Sequence, residues 1–314
     1  MRASRRIRLA LVATVALTSM FAASGCTTAS QNLGTPTTGQ TSGTASFDPT
    51  SVAKDDALAA LVPASIKSTG SLTIGSDTTY PPAEFLGGAD GQTPMGFDVD
   101  LAKAIGTTLG LKVNFETAGF STILPALGAK YDLGMSGFSI TKKRLDAVNF
   151  VDYFTAGSIW AIQKGNPNHI SLDDLCGKKV GVQTGSVQAD PDVSGRSAAC
   201  VKAGKPAIDV VSLPTQSDIT TRLVSGGIDA MVSGGTTITY ALTQTNGQLE
   251  MLGELYNPDH NGIAIAKDDL PLADLVAKVM NKLIADGSYG KIMDQWGVGV
   301  LSIKEAVVNP QVTQ

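Results

Sequence analysis

Short apolar runs alternate with amphipathic stretches of helical length from about residue 55 onward. The runs are rich in Val and Ile and have the length of β-strands. The predicted strands span 72–77, 112–117, 131–136, 158–164, 179–183, 207–213, 228–233 and 262–267. The predicted helices span 98–109, 120–129, 141–148, 186–203, 217–225, 235–245, 271–286 and 288–296. Strands that alternate with helices indicate parallel sheets in an α/β architecture.

These elements form a body of about 245 residues. That length is large for one doubly wound sheet and suits two lobes. The pattern has no fixed period, which excludes solenoids and propellers.

The first 25 residues have a different pattern. A basic segment, residues 1–8, precedes an apolar stretch that is too short to span a bilayer comfortably, followed by small residues and Cys26. This order is typical of a secretory signal peptide. A cysteine in this place resembles a bacterial lipobox, in which the thiol is lipidated; the alternative is a plain signal peptide with an incidental cysteine. Ser4–Arg6 also resembles a twin-arginine signal, so the export route stays open.

Residues 26–54 are rich in Ser, Thr and Gly and nearly uncharged over most of their length. Such a segment cannot bury a core, and we expect a flexible tether between a lipid anchor and the folded body. No other stretch of the chain is long and apolar enough to span a membrane.

Composition and charge exclude several functions. The net charge of the 314 residues is −4, but 1–25 holds four arginines, and the remainder has 20 basic and 28 acidic residues. An acidic body without a basic cluster argues against nucleic-acid binding. The sequence contains no hydrolase, metalloprotease or P-loop motif. The two histidines lie in loop-like sequence, so neither a metal nor a cofactor is expected.

Cys176 and Cys200 bracket the start of one predicted strand–helix unit. Disulfides persist in exported proteins, so we predict a bond between these two residues. The alternative is a pair of unpaired buried thiols.

The sequence SGFSITKKRLDAVNF at 136–150 breaks a local rule. Thr141 is a good N-cap for the predicted helix, whose first turn holds Lys142–Arg144. Three cations oppose the helix dipole there, and such a conflict often marks a site. The Ser139 hydroxyl and the Arg144 guanidinium favour an anion site; the alternative is a solvated charged turn.

Two further stretches place polar or aromatic groups at strand ends. GSDTTYPPAEF at 75–85 presents Asp77, Tyr80 and Glu84 around a Pro-Pro turn, and Phe120 begins a predicted helix. Each aromatic residue either covers a small ligand or packs in its loop or core.

GVQTGSVQAD at 181–190 runs from a strand through a glycine turn into a helix. The turn leaves backbone N–H groups and the hydroxyls of Thr184 and Ser186 free, which alone is a weak signal.

Together these segments resemble the bacterial extracellular solute-binding proteins of family 3, the polar amino-acid receptors of ABC importers. The similarity runs from about residue 70 to 297. It is carried by the order and spacing of YPPAEF, GFDVDLAKAI, FSTILPAL, YDLGMSGFSITKKR, GKKVGVQTGSVQ, LVSGGIDAM and ADGSYGKIMDQWG.

The resemblance implies a type II periplasmic-binding-protein fold, a two-lobed flytrap with two hinge strands. Lobe 1 would comprise 70–158 and 255–300, and lobe 2 would comprise 162–250. Gly96–Asp100 looks like the structural turn of the family, with Asp98 expected to cap a helix.

The resemblance also assigns roles to residues around the cleft. Arg144 would bind the carboxylate of the ligand, and Tyr80 and Phe120 would sandwich it. The remaining expected contacts are Asp77 beside the ligand side chain, the Gly137 carbonyl, the Ser139 hydroxyl, and Ser186, Val187 and Gln188 from lobe 2.

One position departs from the family. An aspartate that binds the ligand ammonium usually follows the G-x-I-D-A motif, but Gly234 occupies this position. Since an unpaired buried ammonium is costly, either Asp77 or Glu84 replaces it, or the ligand has no α-ammonium.

The sequence therefore predicts a monomeric, lipid-anchored protein on the outer face of the bacterial cell membrane. It would bind a small carboxylate by hinge closure and deliver it to an ABC permease. The alternatives are a secreted enzyme of the cyclic-acid dehydratase type, with Glu84 as the candidate acid, and a sensor for a membrane kinase.

Overall fold

Eleven β-strands and ten α-helices follow one another along residues 46–312, the part of the chain that the computed structural model describes. The strands are β1 (Ser71–Ser76), β2 (Thr79–Tyr80), β3 (Glu84–Gly87), β4 (Thr93–Met95), β5 (Lys112–Thr117), β6 (Leu133–Ser139), β7 (Val148–Gln163), β8 (Lys179–Gln183), β9 (Asp209–Leu213), β10 (Ala230–Gly234) and β11 (Leu249–Ala266). The helices are α1 (Asp56–Ala60), α2 (Ala64–Thr69), α3 (Phe97–Leu109), α4 (Phe120–Ile123), α5 (Lys142–Leu145), α6 (Ser194–Lys202), α7 (Gln216–Val224), α8 (Gly235–Gln244), α9 (Leu270–Ala285) and α10 (Ser288–Gln295).

Eight strands form one mixed sheet in the order β5-β1-β6-β11-β7-β10-β8-β9. At one edge β1 is parallel to β5 and β6, and at the other β8 is parallel to β9 and β10. The central strands β7 and β11 are antiparallel to each other and to their outer neighbours. The prediction of parallel strands is therefore right for each outer group and wrong for the strands between them.

The two central strands are 16 and 18 residues long. They pair from Val148 opposite Ala266 to Gln163 opposite Leu249, and register shifts interrupt the ladder at three places between residues 252 and 262. Each strand is much longer than its predicted counterpart. The polar stretch at 257–261 lacks the alternation of a strand, so its pairing was not visible in the pattern.

Two sets of apolar side chains pack on opposite halves of this sheet. In the first half α3 and α9 pack on the sheet through Leu72, Ile74, Leu101, Ile105, Val276 and Leu283. In the second half the packed residues include Trp160, Val180, Val182, Ile219, Met231 and Val232. The cleft lies between these two halves, where β7 and β11 cross from one to the other.

A small antiparallel sheet, β2-β3-β4, follows β1. Its strands have two to four residues and give no readable alternation in the sequence. Gly96 ends this sheet with φ of +130°, and a Cβ there would lie 2.0 Å from the Ala83 carbonyl oxygen. Only glycine fits this approach, which fixes the position of β3 beside the start of α3.

Five predicted helices agree with the structure to within one residue, namely 98–109, 217–225, 235–245, 271–286 and 288–296. The other three are shorter than predicted. α4 passes into a 3₁₀ turn at Pro125, and a distorted turn containing Pro191 precedes α6. Proline has no N–H to donate, so it interrupts the helical hydrogen bonds at both places.

Two predicted caps have different outcomes. Thr141 caps α5, since its hydroxyl accepts a hydrogen bond from the backbone N–H of Arg144. Asp98 does not cap α3: Gly96 is the N-cap residue, and the Asp98 carboxylate accepts a hydrogen bond from the Tyr153 hydroxyl.

The disulfide between Cys176 and Cys200 is confirmed, with an S–S distance of 2.00 Å. Cys26, the predicted signal peptide and most of the predicted tether lie outside the described residues. The end of that tether is described, and its Phe47 and Val52 pack against the first core. Between residues 46 and 312, every helix is too short or too polar to cross a bilayer.

Candidate functional site

The cleft contains a cavity of about 110 Å³. Most of the predicted ligand contacts line it: Tyr80, Phe120, Gly137, Ser139, Arg144, Ser186, Val187 and Gln188. It is also lined by Ser136, Ser158, Gln183, Asp192, Gln216, Ser233, Gly234, Asn257, Asp259 and Asn261. Asp77 and Glu84 are not among the lining residues, and their predicted contact with a ligand stays a prediction.

Four central strands form the floor of the cavity. Across them the register pairs are Asn261 with Ser139, Asp259 with Ala156, and Gly234 with Ser158. Paired residues on neighbouring strands point to the same face of a sheet. The cavity wall therefore includes parts of β7 and β11 that the sequence did not assign to the site.

Arg144 reaches into the cavity from the short helix α5. Its Nη1 donates a hydrogen bond to the Ser139 carbonyl at 2.7 Å, and its Nη2 donates to the Gly185 carbonyl at 3.0 Å. The guanidinium lies over the rings of Phe120 and Phe138, 5.6 and 5.7 Å from their centroids. Burial lowers its pKa to about 10, so the side chain is a cation at neutral pH and can bind an anion.

Tyr80 crosses the cavity to Gly234. Its hydroxyl accepts a hydrogen bond from the Gly234 N–H at 3.0 Å and lies 3.3 Å from the Ser233 hydroxyl oxygen. A Cβ at Gly234 would lie 2.4 Å from the Tyr80 hydroxyl oxygen, closer than any real contact. The missing aspartate at position 234 thus has a structural reason, since the phenol occupies the space that its side chain needs.

We expect Gly234→Ala to weaken ligand binding. The backbone at Gly234 has φ of −61°, which alanine adopts freely, so only the contact with Tyr80 opposes the change. Displacing the phenol leaves the Tyr80 hydroxyl without its hydrogen-bond partners. The binding free energy should weaken by about 1–3 kcal/mol, or roughly tenfold to a hundredfold in Kd. Isothermal titration calorimetry measures the change in Kd.

The matched control is the same substitution in a Tyr80→Phe background. Without the hydroxyl, the nearest ring atom is 3.5 Å from the added Cβ, an ordinary contact. Gly234→Ala should then weaken ligand binding little more than Tyr80→Phe alone does. An equal loss of affinity in both backgrounds would contradict the steric explanation.

The Asp77 carboxylate is engaged by neighbouring side chains. One oxygen accepts a hydrogen bond from the Thr79 hydroxyl at 2.7 Å, and the other accepts one from Gln183 Nε2 at 2.5 Å. Burial raises its pKa, while these hydrogen bonds lower it. Asp77 therefore holds Gln183, which itself lines the cavity.

Glu84 lies behind the cavity wall and faces Asp98; both side chains are fully buried. Burial and the neighbouring Asp98 raise the pKa of Glu84 well above its usual range. Glu84 Oε2 and Asp98 Oδ1 have no partner among the described residues unless a proton joins the two carboxyl groups. A protonated Glu84 that donates to Asp98 satisfies both atoms.

Hydrogen bonds connect this acid pair to the cavity wall. The Ser136 hydroxyl donates to Glu84 at 2.6 Å, and the Tyr153 hydroxyl donates to Asp98 at 2.8 Å. The Gly137 N–H in turn donates to the Tyr153 hydroxyl at 3.3 Å. The pair thus fixes Ser136 and Gly137, the residues of β6 that lie just before Ser139.

Three polar groups of the cavity were not predicted from the sequence: Gln183, Gln216 and Asp259. Gln183 and Gln216 come from the end of β8 and the start of α7, positions where a strand end or a helix start gave the only signal. Asp259 sits in the polar stretch of β11. Within the described part of the chain, three or more His, Cys, Asp or Glu side chains nowhere converge in a way that could hold a metal ion.

Two lobes around a cleft with a half-buried cation, aromatic walls and several amide groups define a protein that encloses a small polar solute. The sequence matches the bacterial extracellular solute-binding proteins, family 3, over residues 72–299. The chain belongs to this family.

Named relatives and solved structures agree with this assignment. The arginine-binding protein ArgT of Corynebacterium glutamicum is 33% identical over 253 residues, which cover 80% of this chain and 82% of that protein. An ancestral arginine-binding protein bound to arginine has a TM-score of 0.65 and 35% identity, covering 72% of this chain and 98% of that chain. An ancestral amino-acid-binding protein, described as a precursor of cyclohexadienyl dehydratase, has a TM-score of 0.63 and 31% identity, covering 74% of this chain and 97% of that chain.

The predicted fold and solute-binding function are confirmed by the family assignment and these neighbours. The three proteins named above are binding proteins, so the enzyme and kinase-sensor alternatives are not favoured.

Proposed function

We propose that this chain captures an α-amino acid in the cleft and delivers it to the permease of an ABC importer. The observation that carries the proposal is the half-buried Arg144 guanidinium, which lines a cavity whose other wall is closed by Tyr80. A carboxylate binds a guanidinium through charge-assisted hydrogen bonds, which gives the ligand one fixed end.

The ligand carboxylate binds Arg144 and the Ser139 hydroxyl in the first lobe. The turn at Ser186–Gln188 approaches from the second lobe, where Gln188 Nε2 already donates to the Ser158 hydroxyl at 2.8 Å. Tyr80 and Phe120 cover the ligand between these groups. When the cleft closes, both lobes contact the same carboxylate. Ligand binding is therefore coupled to the closed conformation, whose outer surface the permease contacts.

The side-chain end of the ligand meets amide and hydroxyl groups. Gln183 is held by Asp77, and Gln216 accepts a hydrogen bond from the Ser233 hydroxyl at 3.1 Å. These groups favour a polar or cationic side chain over an aliphatic one, because an apolar group would leave them without partners. Arginine is the first candidate, since the relative and one of the two structures described above bind it.

The lobe boundaries follow the sequence expectation, 70–158 with 255–300 for lobe 1 and 162–250 for lobe 2. The two separate cores support this division. β7 and β11 are the two hinge strands.

Lipidation at Cys26 and a tether that ends before Phe47 hold the binding body at the outer face of the cell membrane, since Phe47 and Val52 already pack on the first core. The sequence of residues 1–26 supports this anchor. We also propose that the protein is monomeric. We propose no enzymatic step, because Glu84, the candidate acid, does not line the cavity.

A thermal-shift screen of the twenty proteinogenic amino acids and of small carboxylates without an amino group tests the function. We expect arginine or another polar amino acid to raise the melting temperature, with binding confirmed by calorimetry. Shifts from the carboxylates alone would overturn the amino-acid proposal. Sustained product formation during incubation with cyclohexadienyl carboxylic acids would favour the enzyme instead.

A further inference from the structure

A bound amino acid requires an anionic partner for its ammonium group as well as a cation for its carboxylate. Position 234 cannot supply that partner, because Tyr80 fills its space. Among the described residues that line the cavity, the acidic ones are Asp192 and Asp259. Asp192 and Asp259 are therefore the two candidate partners of the ligand ammonium.

Asp192 is occupied by other groups of the second lobe. One of its oxygens accepts a hydrogen bond from Arg196 Nε at 2.8 Å, and the other accepts one from the Tyr256 hydroxyl. The Arg196 guanidinium also lies over the rings of Trp160 and Tyr256. The charge of Asp192 is thus balanced without a ligand.

One carboxylate oxygen of Asp259 has no hydrogen-bond partner among the described residues. Its Oδ1 accepts a hydrogen bond from the His260 N–H at 2.9 Å, whereas its Oδ2 is buried and has no partner within residues 46–312. A buried carboxylate oxygen without a donor is costly, so a donor that arrives with the ligand is favoured.

The position of Asp259 fits an ammonium group. It lies opposite Ala156 on the face of the sheet that also carries Ser139 and Gly234. Burial raises the pKa of the Asp259 carboxyl, and the hydrogen bond from the His260 N–H and the nearby Arg144 charge act against that rise. In an amino acid the ammonium is bonded to the carbon that carries the carboxylate, so its partner must lie near Arg144.

We propose that Asp259 binds the ammonium of the ligand through its Oδ2 and selects ligands that have this group. The assignment rests on the proposed function, since it takes the carboxylate to be at Arg144. It replaces the family aspartate by a residue from the hinge strand β11. Position 234 is then free to receive the Tyr80 hydroxyl.

Calorimetry with two probes on the full-length protein tests the assignment. L-Arginine carries the ammonium, and des-amino-arginine lacks it while keeping the carboxylate and the guanidinium. The wild type should bind arginine about tenfold to a hundredfold more tightly than the analogue. Asp259→Asn should reduce this preference to about threefold or less, mainly by weakening arginine binding.

Asparagine retains the oxygen that accepts from the His260 N–H, so the variant should fold, and a thermal melt checks this. Asp90→Asn, in an exposed loop, is the matched control and should keep both affinities. An unchanged preference in a folded Asp259→Asn protein would overturn the assignment, as would loss of the preference in Asp77→Asn alone. If the wild type binds another amino acid instead of arginine, the same comparison is made with that amino acid and its des-amino analogue. Absence of binding by every amino acid of the thermal-shift screen would overturn the proposed function and this assignment together.

Discussion

We expect Arg144→Ala to abolish measurable binding of amino acids in a calorimetric titration. The guanidinium is the cation that Phe120 and Phe138 hold in the cavity, and the alanine leaves the ligand carboxylate without its partner. Removing one partner of a buried charge pair costs about 2–5 kcal/mol. That corresponds to roughly thirtyfold to several-thousandfold in Kd.

The neighbouring Lys143→Ala is the control. Its side chain is 91% exposed and approaches only the exposed Asp190, so ligand affinity should not change. A folded Arg144→Ala protein that retains the wild-type Kd would remove Arg144 from the site. Arg144→Lys should recover only part of the affinity, because an ammonium cannot form the planar double contact of a guanidinium.

The second large effect concerns stability. We expect Glu84→Ala to lower the free energy of unfolding by about 3–5 kcal/mol, because it leaves a cavity, removes the donor to the buried Asp98 Oδ1 and removes the acceptor of the Ser136 hydroxyl. Glu84→Gln should be nearly neutral. Its amide oxygen accepts from Ser136 and its NH₂ group donates to Asp98, as the protonated acid does. Urea unfolding at constant pH measures both.

The same pair predicts a pH dependence. Burial raises the pKa of Asp98 from 3.8 to about 7, and the pKa of Glu84 is raised well above 4.5. The folded state therefore keeps protons that the unfolded chain loses, and stability falls as the pH rises from about 4 through 7. Glu84→Gln should flatten this slope between pH 5 and pH 8. An equal slope in the variant would contradict proton sharing between Glu84 and Asp98.

The hydrophobic pattern predicted the outer strands and the long helices because each has a strong period of its own. Phe120, Ser139, Arg144 and Ser186 were singled out near predicted strand ends or helix starts, and all four line the cavity. These features are local, so a sequence displays them directly.

The structural features that the sequence did not predict depend on contacts between segments that are far apart in the sequence. The Tyr80 hydroxyl meets the Gly234 N–H across 154 positions of the chain, and only this contact explains the glycine. Asp259 belongs to a strand whose pairing with β7 holds it in place, although its own sequence favours a loop. The pairing of Glu84 with Asp98 likewise requires β3 and α3 to be packed together.

The paired hinge strands have a mechanical consequence. Because β7 and β11 share one ladder, the halves are connected by a single two-stranded ribbon, and the register shifts between residues 252 and 262 make that part the most easily bent. Bending there moves Asp259 and Ser158 together with the lobes. Cavity-lining groups thus lie on the connecting ribbon itself, so a solute held in the cleft would limit how far the ribbon can bend and twist.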